Sequence, residues 1–187
     1  MALARTPRHR WIDAGLQVLA TGGPDAVQIE SLARSLGVSK GGFYGYFADR
    51  PALLTEVLDA WEARSTDQVL AQVEQEGGDA RTRARRAAEL TFSPELRPID
   101  LAVRDWARRD AAVAERLRRV DDLRIAYLRE QLAPVCTDED DLEARCLIAF
   151  CVAVADPLVA AGHGSRTRAE VLRTVQRRLF APPPEGP

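Results

Sequence analysis

The run Gly37-Val38-Ser39-Lys40-Gly41-Gly42-Phe43-Tyr44-Gly45-Tyr46-Phe47 decides the fold. Just before it, Ile29, Leu32, Ala33 and Leu36 fall at i, i+3, i+4 and i+7, the spacing of one helical face, which predicts a helix over about Gln28 to Leu36. Gly37 supplies the left-handed conformation in which that helix can stop, and Val38 plugs the turn from inside. Ser39 is a natural N-cap for a third, short helix, on which Phe43 and Phe47 share a face. Upstream, Ile12, Leu16 and Leu19 make one stripe of a first helix from about Arg8 to Thr21, closed by Gly22-Gly23-Pro24. Two helices about a tight turn form a helix-turn-helix, whose second helix fits the major groove of DNA. The same corner occurs in many helical proteins, so geometry alone leaves open a helical protein-interaction module without DNA binding.

Working outward, helical spacing recurs to the end of the chain and no strand-like alternation persists, so the fold class is all-α. Asp49-Arg50-Pro51 starts a helix in which Leu53, Leu54, Val57, Leu58 and Trp61 continue an apolar face to about Glu76, where Gly77-Gly78 closes it. Further helices are expected over Asp79 to about Thr91, Pro98 to about Arg108 and Asp110 to Leu132, the last stopped by Pro134. Thr137 with Asp140, and Thr167 with Glu170, match the capping-box pattern and predict two more. The first of these ends near Ala155 or Ala161, depending on whether Pro157 ends or kinks it. The resulting organisation is a three-helix helix-turn-helix domain over residues 1–50, a helical domain over 51–180, and a Pro-rich disordered tail over 181–187.

The composition is globular and helix-favouring, with 46% hydrophobic and 29% charged residues among 187. No apolar run approaches the roughly 20 residues that span a bilayer, and residues 1–10 lack a signal-peptide core, so a cytoplasmic protein without a membrane partner is expected. The formal net charge is -2, an unpromising total for a nucleic-acid partner, but its distribution is uneven. Residues 1–50 hold six cations against four carboxylates, a net +2 that leaves -4 for the remainder. Cys136, Cys146 and Cys151 form no C-x-x-C pair and have no nearby histidine, so neither metal nor cofactor is expected.

GVSKGGFYGYF followed by ADRPALL resembles the tetracycline-repressor (TetR) family, over roughly residues 8 to 60. That resemblance implies a dimeric, sequence-specific transcriptional regulator, a repressor released from its double-stranded operator by a small-molecule effector. It also implies that Tyr44, Tyr46 and Arg50 touch the DNA backbone. Lys40, at the start of the short helix, suits a phosphate on charge and position. Arg34, Ser39, Lys40 and Tyr44 are the side chains that can read bases, because Gly41, Gly42 and Gly45 carry none. Three glycines make a marginal helix, which is useful where a backbone must approach the groove closely, so Gly41 and Gly42 join the candidate site.

The candidate dimer interface lies on the last two helices: Leu142, Cys146, Ala149, Phe150 and Ala153 on one, Val171, Leu172, Val175 and Leu179 on the other. An ordinary intramolecular core has the same periodicity. An effector pocket is implied by the resemblance, with Trp61, Phe92, Trp106, Tyr127 and Phe150 as the aromatics available to line it, although plain core is the simpler reading of each. Arg104 and Asp105 flank Trp106 and can orient a polar ligand or simply pair. An enzyme is not expected, since His9 and His163 stand apart from any triad, metal spacing or phosphate loop.

Overall fold

The computed structural model describes residues 6–182. Among them there is no β-strand, only an isolated antiparallel bridge between His163 and Arg166. The helices are α1 (Arg8–Ala26), α2 (Ile29–Ser35), α3 (Arg50–Ser65), α4 (Asp67–Glu76), α5 (Ala80–Thr91), α6 (Arg97–Ala107), α7 (Ala111–Leu132), α8 (Glu139–Ala155) and α9 (Arg168–Leu179). Short 3-10 turns occupy Lys40–Gly45, Ala133–Val135 and Asp156–Leu158. Among the described residues no helix is long and apolar enough to cross a membrane. The segment expected to be a disordered tail lies, from residue 183 on, outside the described residues.

The chain forms two compact units, one of residues up to Val69 with Ser93–Val120, the other of Leu70–Phe92 with Asp121 onward. In the first, α1 packs against α3 and α6. Trp11, Leu16 and Leu19 of α1, Leu53, Val57 and Trp61 of α3, and Val103 of α6 are all essentially sealed from solvent. Gly15 lets α1 and α3 close up, since a Cβ there would stand 2.6 Å from Val57 Cγ2. Helical geometry in α1 breaks at Gly23 (φ 70°, ψ -175°), and Pro24 opens one more turn, so the Gly-Gly-Pro stop acts as expected.

Two boundaries differ from expectation. The helix predicted from Asp49 to Glu76 is split at Thr66, whose hydroxyl donates to the Glu62 carbonyl at 2.6 Å while its backbone leaves the helical region (φ -127°, ψ -86°). A side chain that bonds the preceding turn competes with helix continuation, and here it prevails. At α8 the cap is Asp138, accepting from the Asp141 amide at 2.9 Å, one residue beyond the predicted Thr137–Asp140 pair. Aspartate is an equally good cap and accepts where Thr137 would have. Pro157 falls in the turn after Ala155 and therefore ends α8.

In the second unit, Asp79 caps α5 through the Thr82 amide at 2.7 Å, and Thr167 with Glu170 forms a complete capping box on α9. Arg145 of α8 donates to the carbonyls of Leu179 at 2.8 Å and Ala181 at 2.7 Å, satisfying orphan acceptors at the end of α9. Arg129 of α7 forks onto Glu143 of α8. The Tyr127 hydroxyl donates to Glu74 at 3.3 Å, and burial together with that carboxylate pushes its pKa up to about 12.

Candidate nucleic-acid interface

The segment from α2 through Lys40–Gly45 stands on an aromatic nucleus. Phe43 meets Trp11 edge to face at 5.4 Å and stacks on Phe47 at 5.1 Å, and all three rings are buried. The guanidinium of Arg8 lies 5.2 Å above Phe47. The turn closes as predicted: Gly37 has φ 68°, and the Val38 amide bonds back to the Ala33 carbonyl at 2.9 Å. The short helix itself departs from expectation. It is a 3-10 helix, and Ser39 occupies the N-cap position without a side-chain cap bond. Its three glycines lack the side-chain packing that favours a longer α-helix.

Arg34, Ser39, Lys40, Gly41 and Tyr44 are exposed together on this segment, with Gly42 half-buried. Tyr44 leans its ring edge on Phe43 at 5.3 Å yet remains 54% exposed. Neither Gly41 nor Gly42 has a positive φ, and an added Cβ would find only ordinary contacts, 3.8 Å from Ser39 Oγ and 4.0 Å from Trp11 Cζ2. Neither the backbone conformation nor the packing here requires these glycines.

Tyr46 and Arg50 are placed differently. Tyr46 is half-buried and packs against the core, its ring 6.4 Å from Phe47. Arg50 is half-buried; its Nε donates to the Val27 carbonyl at 2.7 Å and its Nη2 to the Pro24 carbonyl. Tyr46 thus buttresses the nucleus, and Arg50 ties the start of α3 to the end of α1. Lys40 is exposed and carries an ion pair with Glu30 of α2, which raises the ammonium pKa and lowers that of the carboxylate. Sequence reasoning missed Glu30, whose only signal was an acid ten residues before a candidate phosphate ligand. Among the described residues Arg34 makes no ion pair.

The other candidates separate by unit. Trp61 is fully buried in the first unit and Trp106 packs partly buried against the same core, whereas Phe92, Tyr127 and Phe150 belong to the second. Arg104 pairs with Asp100 at 2.8 Å and Asp105 with Arg109 at 2.9 Å along α6, so these charges serve one another. Of the proposed interface residues, Cys146 is fully enclosed by its own chain, and burial pushes its thiol pKa up to about 11. Leu142, Ala149, Phe150, Ala153, Val171, Leu172, Val175 and Leu179 are half-buried. The exposed large apolar side chains of α8 are its neighbours Leu147, at 59%, and Ile148, at 51%, and Leu158 and Val159 are exposed beyond its end. No group of metal-ligating side chains occurs among the described residues.

Residues 12–57 match the family model described as bacterial regulatory proteins, tetR family. A transcriptional regulator from Rhodococcus sp. Rha1 superposes with a TM-score of 0.68 at 19% identity, over 94% of each chain. FadR from Bacillus subtilis, in complex with stearoyl-CoA, gives 0.67 at 14% identity over 93% of this chain and 98% of its own. AibR, in complex with isovaleryl coenzyme A and operator DNA, gives 0.65 at 13% over 92% and 99%. Among curated proteins none is significantly similar in sequence. Residues 12–57 are thus similar to the tetR-family model, and the chain as a whole shares its fold with these solved transcriptional regulators.

Proposed function

We propose that this chain is a DNA-binding transcriptional regulator that acts in the cytoplasm as a homodimer and leaves its operator when the helical domain beyond residue 50 takes up a small molecule. The observation that carries this reading is the exposed cluster of Arg34 on α2 with Ser39, Lys40, Gly41 and Tyr44 at a short helix founded on buried rings, Gly42 lying half-buried among them. Cations and a tyrosine hydroxyl suit phosphate oxygens, and a side-chain-free backbone suits close approach to the groove. The glycines themselves support it, since internal packing leaves room for a side chain at both. Tyr46 and Arg50 act as positioning residues beneath this surface.

A single short helix reads too few bases, and two copies about a twofold axis place two such helices in successive major grooves. Leu147 and Ile148 of α8 are large apolar side chains that their own chain leaves exposed, and a second copy would cover them. Such an effector changes DNA affinity only through different binding to the two states of the head. FadR and AibR each hold an acyl-coenzyme A, which makes that class the first to try.

Fluorescence polarisation with the DNA upstream of its own gene, at stated salt, tests the reading. A specific fragment should bind tighter than bulk DNA by at least about 10³-fold. Equal binding to both defeats it. Alanine at Lys40 and Tyr44 should abolish binding while circular dichroism stays unchanged; unfolding instead would favour a purely structural corner.

A further inference from the structure

Lys40 is the one side chain of the candidate surface that both suits a phosphate and is already engaged by an acid. Its ammonium group is hydrogen-bonded to the carboxylate of Glu30, reaching from the 3-10 helix back to the start of α2, and both groups are about half exposed. Arg34, on α2 between them in sequence, makes no such pair among the described residues. A DNA phosphate reaching Lys40 therefore meets an occupied cation. We infer that Glu30 is a built-in brake on DNA affinity, holding Lys40 in the free protein so that each phosphate Lys40 grips must first displace a carboxylate. This rests on the DNA-binding reading and adds a residue to it.

The physics gives the brake two signatures. An exposed ion pair is weak, so releasing Lys40 changes affinity by only about two- to five-fold per head. The salt dependence changes with it. When a free cation neutralises a phosphate, about 0.9 of a condensed counterion leaves the DNA. Lys40 releases it whether or not Glu30 held it, but salt also screens the Lys40–Glu30 pair, so the brake weakens as salt rises and the wild-type slope is slightly shallower than that of an unpaired cation. Phosphate contacts carry no sequence information, so the brake lowers specific and non-specific binding alike and keeps the protein from being held on bulk DNA.

The test is a polarisation titration of the full chain against a labelled duplex of mixed sequence across a series of salt concentrations, with wild type, E30Q, K40Q and the double variant. Glutamine keeps the shape of the exposed Glu30 side chain, and circular dichroism verifies the helices. E30Q should bind roughly two- to five-fold tighter per head at low salt, a gain that shrinks as salt screens the pair. In the K40Q background the same change should do nothing. The inference is overturned if E30Q binds no tighter than wild type, or if it gains equally without Lys40, because Glu30 would then act as a general negative charge. Wild type that binds without any gain in E30Q removes the brake alone, whereas no binding by any variant at low salt removes the DNA reading with it.

Discussion

The nucleus beneath the recognition segment and the outer face of α8 are both apolar helical surfaces, yet the chain treats them oppositely. Trp11, Phe43 and Phe47 are covered by their own chain, at 0%, 0% and 3% exposure. On α8 only Cys146 is sealed, on α9 nothing is, and Leu147 and Ile148 lie more than half in water. The first surface is complete as a monomer. The second is not covered by its own chain.

The contrast can be broken most forcefully at its covered end. Phe43→Ala removes the ring that both Trp11 and Phe47 contact, and should cost about 3–5 kcal/mol in chemical denaturation, with DNA binding lost alongside. At the open end, Leu147→Asp combined with Ile148→Asp should leave helix content intact and raise the dimer dissociation constant by more than about a hundredfold in sedimentation equilibrium. If both proteins sediment alike, the α8 face is not the interface. Gly42→Ala sharpens the distinction between folding and binding: the added methyl has room against Trp11, so stability should hold or rise by up to about 1 kcal/mol while DNA affinity falls.

The smallest effect is confined to the second unit. The Tyr127 phenol titrates at about 12 in the fold and near 10 in an unfolded chain, because burial and then Glu74 disfavour the phenolate. The folded value is the higher one, so its stabilising contribution is complete below about pH 10 and is lost as pH rises towards 12. Thermal melts across that window should decline less steeply in Tyr127→Phe than in wild type.

Local chemistry was legible in the sequence. Asp49, Asp79 and the Thr167–Glu170 box start their helices where the residue types place them, and Gly37 turns the chain where a left-handed residue was required. What could not be seen was which of two adequate partners a group would take. Thr66 chose the Glu62 carbonyl over continuing a helix, and Asp138 took the cap from Thr137. The same holds at the site, where the exposed cluster from Arg34 to Tyr44 followed from pattern and resemblance. Arg50 is bound to carbonyls 23 and 26 residues earlier and Lys40 to an acid ten residues earlier, neither of which periodicity records. Along α8, apolar residues occur on so many sides that spacing could not separate Cys146, facing inward, from Leu147, facing out.

The Arg50 contacts have a topological meaning. One guanidinium joins position 50 to positions 24 and 27, so α2, the turn and the 3-10 helix behave as a ring shut by a noncovalent latch. Closing a ring of that length removes chain entropy that the glycine-rich segment would otherwise keep, much as cyclising a peptide does. A lysine there would preserve the charge but has no planar fork with which to hold two carbonyls at once, and the ring would loosen at its base.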